Sequence, residues 1–332
     1  MPSISRRTLL QRTALGAAGV GLAGCRGPGV GDRAGSAGGA EARPPSRPMR
    51  LIHATDMHVQ AQRRGGEGWA AMLRHMMRLE VPADLLITGG DLVMDATGRP
   101  HAEVAAQWDL FNQGLADNVP ADLPRAHVIG NHDFFGRLQD RAKVTGQEPE
   151  FLRGWFLQNF GYSRTYQAIR QGGWKFLLLD SFTLLPRSRY LNRLEPTQWD
   201  WLVGELQNTD PGTPVAVVTH APILSATALC ERQAQVSDEG LTVKPTRVHV
   251  DHRQMLELFA RHPNVRLCLH GHLHQYGRTE FDGITHICSG AVSGEKWQGW
   301  RGQTPEGYGI VDLHPDGRFD YRYQTYGWQA ES

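Results

Sequence analysis

Residues that can bind metal ions recur in five clusters along the chain, and each cluster follows a short apolar run. Together they supply these candidate side chains: Asp56, His58, Asp91, Asn131, His132, His220, His272 and His274. Mixed imidazole and carboxylate ligands suit manganese, iron or zinc rather than calcium. The set contains no cysteine, which argues against a structural zinc site. Because it is too large for one ion, the sequence predicts two divalent or transition metal ions, whose identity among Mn, Fe and Zn stays open.

The apolar runs before these clusters have the length and composition of buried strands. They occupy residues 50–55, 84–88, 126–129, 215–219 and 265–269. Helical spacing of apolar residues lies between them, at residues 69–79, 102–115, 196–206 and 251–260. Alternating strands and helices predict an α/β fold, in which ligands bind outside the carboxyl ends of the strands. The clusters can therefore converge although they extend from Asp56 to His274.

Further strands are predicted at residues 175–180, 285–289, 309–313 and 319–323. The late strands have little helix between them, which indicates a second sheet stacked on the first. We therefore predict two stacked mixed β-sheets flanked by helices, a four-layer αββα sandwich, with the metal site at the C-terminal ends of strands.

In order, the clusters read D-x-H, G-D, G-N-H-D, H and G-H-x-H, a set that resembles the calcineurin-like metallophosphoesterases. The resemblance covers nearly all of residues 50–275. Within that superfamily the chain is most similar to the bacterial cyclic-nucleotide phosphodiesterase-like branch. Features that carry this finer resemblance include Leu179-Asp180-Ser181 and Thr219-His220-Ala221-Pro222.

The resemblance implies a role for each matching position. The first metal would be bound by Asp56, His58 and His274, and the second by Asn131, His220 and His272. Asp91 would bridge both ions, which is reasonable because an anion between two cations screens their repulsion. The implied catalytic pair is His132 and Asp133: His132 would touch the substrate phosphate or protonate the leaving oxygen, and Asp133 would hold the turn or orient His132. The protein-phosphatase branch has an Asp where this chain has Met94, and whether Asp95 takes its part is open.

These residues imply hydrolysis of phosphate esters, with phosphodiesters favoured, by a water that bridges the metals and loses a proton. One alternative is a phosphomonoesterase or a pyrophosphatase acting on nucleotide-linked or lipid-linked substrates. Another is a catalytically silent, metal-dependent binding protein. Because every implied ligand and His132 are present, an enzyme is the favoured interpretation.

Substrate contacts are harder to locate from sequence. Residues 222–250 form a long, weakly periodic stretch after His220 and are the best candidate for a lid. Arg247 within it, together with Asn131 and His132, is a candidate for phosphate binding. Trp297 and Trp300 flank a glycine-bearing loop; stacking on a base is possible for them, but packing is the favoured role.

The composition limits the partners. The chain has 332 residues, 21% charged and 40% hydrophobic, as in an ordinary soluble enzyme. Its formal net charge of +1 gives no global attraction for nucleic acid, so we expect a small phosphate-ester substrate and no nucleic-acid partner. The cysteines form no CxxC pair, and we expect Cys268 and Cys288 to be buried free thiols. The oligomeric state stays open.

The N-terminus has the features of an export signal. Arg6-Arg7 precedes the small, apolar stretch from Thr13 to Gly24, which is shorter than the roughly 20 residues that a membrane span needs. Leu22-Ala23-Gly24-Cys25 resembles a bacterial lipobox, with lipid attached to Cys25. We therefore predict a twin-arginine-type signal over residues 1–24, a flexible tether over 25–48 and a metallophosphoesterase domain over 49–332. The expected location is the periplasm or cell envelope, with the membrane contacted only through lipid on Cys25.

Overall fold

The computed structural model describes residues 47–230 and 234–331. The predicted signal peptide, Cys25 and nearly all of the predicted tether lie outside these residues. Within the described residues, no helix has both the length and the apolar character needed to cross a membrane.

The strands are numbered in chain order. They are β1 Met49–Ala54, β2 Leu85–Thr88, β3 Arg125–His127, β4 Gln167–Gln171, β5 Trp174–Leu179, β6 Phe182–Leu185, β7 Arg189–Asn192, β8 Val215–Thr219, β9 Ala234–Ser237, β10 Gly240–Val243, β11 Val265–His270, β12 Gly277–Phe281, β13 Ile284–Cys288, β14 Gly307–Leu313 and β15 Phe319–Thr325. The helices are α1 Gly65–Met76, α2 His101–Asn118, α3 Gln139–Ala142, α4 Gly154–Phe160, α5 Pro196–Gln207 and α6 His252–Ala260. Short 3₁₀ turns lie at Gln62–Arg64 and Ala226–Leu229.

Two large mixed sheets form the centre of the fold. The first has the order β15-β14-β1-β2-β3, and the second has the order β12-β13-β11-β8-β5-β4. Strands β1, β2 and β3 are parallel to one another, as are β5, β8, β11 and β13. The second sheet was predicted, but its membership differs from the prediction: β14 and β15 extend the first sheet, with β14 antiparallel to β1.

Three apolar layers hold the elements together. Between the sheets, Leu51 and Ile87 of the first sheet belong to one buried cluster with Phe176 and Val218 of the second. The outer face of the first sheet packs on α1 and α2, and that of the second on α5 and α6. Because each sheet is covered on both faces, the architecture is the predicted four-layer αββα sandwich.

The helices begin and pack for identifiable local reasons. Pro196 occupies the start of α5, where its missing N–H costs no hydrogen bond. Trp69 of α1 stacks on Phe111 of α2 with ring centroids 5.3 Å apart, and its indole N–H donates to the Phe111 carbonyl over 3.1 Å. This pair fixes the two helices side by side over the first sheet.

The stretch after His220 contains local structure that the sequence did not predict. Strands β9 and β10 form an antiparallel hairpin, whose Val236 is 84% exposed. The segment that follows the hairpin returns to the metal-binding edge of the sheets, described below. Cys268 and Cys288 are buried free thiols, as expected.

Candidate metal centre and active site

The candidate ligands lie where parallel strands end. Asp56 and His58 follow β1, Asp91 follows β2, and Asn131 and His132 follow β3. His220 follows β8 of the second sheet, and the remaining two, His272 and His274, follow β11. Since parallel strands end at one edge, these turns meet there.

The backbone at this edge is unusual. Left-handed φ angles occur at these ligand positions: Asp56 (55°), His58 (45°), Asp91 (51°), His272 (70°) and His274 (59°). Non-glycine residues rarely adopt this conformation, although Asp and His tolerate it better than most. Such positions concentrate at functional sites, where the surrounding fold enforces them. The ligand turns are therefore held in place by the fold around them.

Close backbone approach also explains one glycine of the motifs. A Cβ atom on Gly130 would overlap the backbone nitrogen and the carboxylate of Asp91. The N–H of His132 donates to Asp91 Oδ1 over 2.8 Å. Glycine at position 130 thus lets the turn after β3 approach the turn after β2 closely enough to orient Asp91.

A first group of ligand atoms comprises Asp56, His58, Asp91 and His274, all buried. His274 Nε2 lies 3.2 Å from Asp56 Oδ1, and His58 Nε2 lies 3.5 Å from Asp91 Oδ2. The two Nε2 atoms of His58 and His274 are 3.1 Å apart. These separations are those of ligands around one small cation.

A second group shares Asp91 and adds His220 and His272. His220 Nε2 lies 3.3 Å from Asp91 Oδ2. Among the described residues, neither His220 Nε2 nor the buried Asn131 Oδ1 has a hydrogen-bond partner. Buried polar atoms without a partner are costly, and a cation at this point would satisfy Asn131 Oδ1 and the neutral form of His220. The two groups share Asp91, the residue to which the resemblance gave the bridging role.

Backbone carbonyls determine which imidazole nitrogen faces the metal groups. A carbonyl only accepts, so the nitrogen beside it must carry the proton. On this basis Nδ1 is protonated in His58 (3.4 Å to Met94 O), His220 (2.8 Å to Gly89 O) and His274 (2.6 Å to Gly294 O). His272 instead donates from Nε2 to Thr246 O over 2.7 Å. In its neutral form each ring therefore presents its other, unprotonated nitrogen to the centre, as metal-binding histidines do.

The electrostatics of the centre favour positive charge. Burial opposes ionisation of Asp56 and Asp91, yet the nearby imidazoles, His274 beside Asp56 and His220 beside Asp91, hold the pKa of each carboxyl below its ordinary value. Burial also opposes a charge on His220, but Asp91 and Asp56 raise its pKa to about 9. The two carboxylates thus create a buried site that attracts cations.

His132 lies beside the metal groups rather than within them. Its ring meets that of His58 edge-on, with centroids 4.8 Å apart. Its Nδ1 is 3.9 Å from Asp95 Oδ1, so Asp95, and not Asp133, is the carboxylate that faces the ring. Asp133 is fully buried and accepts from the backbone N–H groups of Leu92, Val93 and Gly130 at 2.8–3.2 Å. Of the two roles that the sequence left open for Asp133, its contacts are those of holding the turn.

A cavity of about 440 Å³ opens over the centre. Arg247 and Thr246 line it, so the segment after the β9–β10 hairpin reaches the site, as the lid hypothesis required. The sequence did not predict four further lining residues: Tyr190, Glu295, Lys296 and Arg301. For the last three a signal existed, because they follow β13, a strand that was predicted and that runs parallel to β11.

Trp297 and Trp300 have different environments. Trp297 is 1% exposed and donates from its indole nitrogen to His58 O over 2.9 Å, whereas Trp300 is 64% exposed. Packing, the favoured interpretation for both, holds for Trp297.

Known proteins similar to this chain agree with the site. The chain is 26% identical over 253 residues to the 3′,5′-cyclic-nucleotide phosphodiesterase alr5338 of Nostoc sp., covering 73% of this chain and 77% of that protein. It is 22% identical over 289 residues to the 3′,5′-cyclic adenosine monophosphate phosphodiesterase CpdA of Escherichia coli, covering 81% and 86%. These relatives confirm the resemblance to the bacterial branch.

Among solved structures, a dimetal phosphatase from Danio rerio has a TM-score of 0.57 at 16% identity, covering 84% of this chain and 97% of that chain. This likeness supports the fold. The profile of the calcineurin-like phosphoesterase family matches residues 49–276, a range that contains all the candidate metal ligands. The chain therefore belongs to the calcineurin-like phosphoesterase family and is a hydrolase acting on phosphoric ester bonds.

Proposed function

We propose that this protein hydrolyses phosphodiesters of small nucleotides with two metal ions bound at the shared-Asp91 centre. The observation that carries the proposal is the pair of buried acceptor groups that have Asp91 in common. Asp56, His58, Asp91 and His274 would hold one ion, and Asp91, Asn131, His220 and His272 the other. The ligand types suit manganese, iron or zinc.

Two bound cations would polarise the phosphate and lower the pKa of a water molecule between them. The protein's own residues would do the rest. The carbonyls of Gly89, Gly294 and Thr246 keep the ligand rings oriented, and the turn at Gly130 orients Asp91. His132, which lines the cavity beside the ligands, would contact the phosphate or donate a proton to the leaving oxygen.

The preference for diesters rests on the relatives, which are cyclic-nucleotide phosphodiesterases by name. The cavity supports an anionic substrate, because Arg247, Lys296 and Arg301 line it. Its volume of about 440 Å³ falls in the range of small-molecule sites. Arg247 is proposed as a phosphate contact.

We further propose that the enzyme acts outside the cytoplasm. Support comes from the sequence alone: the Arg6-Arg7 pair, the apolar stretch behind it and the cysteine at position 25. Lipid on Cys25 would tie the domain to a membrane through the segment before Met49.

The function is tested with the full chain loaded with manganese. We would compare hydrolysis of bis-p-nitrophenyl phosphate, a diester, with that of p-nitrophenyl phosphate, a monoester, with and without a chelator. Chelator-sensitive cleavage of the diester is the expected result. Cleavage of the monoester alone would replace the proposal by a phosphatase, and absence of both activities despite two bound ions would indicate a binding protein.

A matched histidine control separates the site from general damage. His220→Ala should abolish diester cleavage. His262→Ala, just before β11 and thus at the opposite end of the strand from the ligands, should leave it unchanged.

A further inference from the structure

A lysine contacts the candidate catalytic histidine from a loop that the sequence did not single out. Lys296 Nζ lies 3.1 Å from His132 Nε2, and both side chains line the cavity. An ammonium group only donates, so His132 Nε2 accepts this hydrogen bond. The nitrogen of His132 that faces the cavity is therefore occupied by Lys296 in this structure.

The position of Lys296 is fixed by its neighbour Trp297. Both residues have left-handed φ angles, 54° and 67°. The Trp297 ring is buried against the first turns of α1, where a Cβ on Gly68 would overlap it. Its indole also donates to the carbonyl of His58 over 2.9 Å. The loop is thus anchored both to α1 and to a candidate metal ligand, which places Lys296 over the centre.

The charge of Lys296 has no anionic partner in the described part of the chain. Glu295, the adjacent acid, pairs with Arg301 instead. Lys296 therefore adds positive charge next to a centre that is proposed to hold two cations. After burial, its charge is the next largest cause of the lowered pKa of His58. Such an arrangement is unfavourable unless an anion binds between these charges.

We propose that Lys296 is a substrate-binding residue whose ammonium group binds a non-bridging oxygen of the substrate phosphate. On binding, the phosphate takes over the Lys296 hydrogen bond and frees His132 Nε2, which can then take up a proton from solvent and donate it to the leaving oxygen. The inference rests on the proposed function for the identity of the substrate. The phosphate-binding step itself does not need turnover, so it can be tested separately.

The test measures binding of inorganic phosphate to the manganese-loaded full chain by calorimetry, together with metal content and steady-state kinetics. Lys296→Ala should keep its metal ions and weaken phosphate binding by about 10- to 100-fold, the effect of losing one charge-assisted hydrogen bond. Lys296→Arg should restore part of the affinity. Trp300→Ala, in the same loop but with its side chain 64% exposed, is the matched control and should bind phosphate like the wild type.

A second variant tests the anchor. Gly68→Ala should push the Trp297 ring, and with it Lys296, out of place, so phosphate affinity should fall in the same direction. In the double variant with Lys296→Ala, the two losses should not add, because both act through one contact. Additive losses would show that Trp297 does not position Lys296.

Each remaining outcome decides one of the two proposals. Unchanged phosphate affinity in Lys296→Ala, or no phosphate binding by the loaded wild type, would overturn the role of Lys296. Loss of metal ions in Lys296→Ala would also overturn it, since the residue would then support the centre. If the wild type cleaves no diester while Lys296→Ala still loses phosphate affinity, the proposed function fails and the binding role stands.

Discussion

His58 Nε2 and His274 Nε2 face each other across 3.1 Å, although both rings donate their Nδ1 protons to backbone carbonyls. When both imidazoles are neutral, two lone pairs face each other at this distance and repel, and the carboxylates of Asp56 and Asp91 beside them add only further acceptors. A cation between the four atoms turns the repulsion into four attractive contacts. The tautomers, fixed by the carbonyls, are therefore the strongest local argument for a metal ion.

Replacing Asp91 should affect both ions at once. Asp91→Asn removes the carboxylate that the two groups share, so metal affinity should fall by on the order of 100-fold or more and turnover should be lost. Metal analysis of the purified variant beside the wild type checks this. A variant that lost only one ion would show that Asp91 does not bridge.

His132→Ala should separate metal binding from catalysis. The side chain lies beside the ligands, so the variant should retain its metal ions. Its kcat should fall by about 10²- to 10⁴-fold, the usual contribution of a positioned acid or base. If the variant emerged without metal ions, His132 would be a ligand and the assigned role would be wrong.

Asp133→Asn tests whether Asp133 acts in catalysis or in the turn. Burial and then the charge of Asp91 raise the pKa of Asp133 to about 8, and three backbone N–H donors offset part of that cost. An amide NH₂ in place of one oxygen would face these donors, so the free energy of unfolding should fall by about 1–3 kcal/mol. Urea denaturation measures it. Unchanged stability with lost activity would favour a catalytic role.

Acid should destabilise the fold through buried neutral histidines. Burial, followed by the charge of Arg125, lowers the pKa of His127 from 6.5 to about 3. Between these pH values, His127 is protonated in the unfolded chain and neutral in the folded protein. Its contribution to the free energy of unfolding is therefore fully present above pH 6.5 and is lost as the pH falls. In His127→Phe, which keeps a ring beside Phe160, the urea midpoint should drop less between pH 7 and pH 5. An equal drop would show that other groups dominate.

Export and anchoring are tested on Cys25. In cells that carry a lipoprotein pathway, the wild-type chain should incorporate labelled palmitate and sediment with membranes. Cys25→Ser should do neither, while Cys230→Ser, at an exposed thiol of the folded part, should behave like the wild type. Labelling that persisted in Cys25→Ser would place the lipid elsewhere.

Much of the fold was predictable because its central strands are local apolar runs. Strands β1, β2, β8 and β11 nearly coincide with the apolar runs of the sequence, so each could be located from its own residues. The hairpin strands β9 and β10 are short and exposed, so no apolar pattern marked them. The pairing of β14 with β1 aligns Met49 with Leu313, and a contact so distant in sequence leaves no trace in local periodicity.

The residues of the site also differ in how far the sequence predicted them. Its metal ligands were predictable because each lies in a short motif directly after a strand. Tyr190 reaches the cavity from the short strand β7, and nothing in its immediate sequence indicates a binding role. Lys296 follows the predicted strand β13, but no motif marks it as a binding residue. Asp95 was recognised but left open, since only the structure shows that its carboxylate faces His132.

The candidate ligands come from both sheets: β1, β2 and β3 of the first, and β8 and β11 of the second. With metal bound as proposed, the ions would connect the two sheets of the sandwich at one edge. Unfolding would then have to release them, so the stability of the domain would rise with the logarithm of free metal concentration. At low metal concentration the folded domain would therefore be less stable, and its reaction would also be slower.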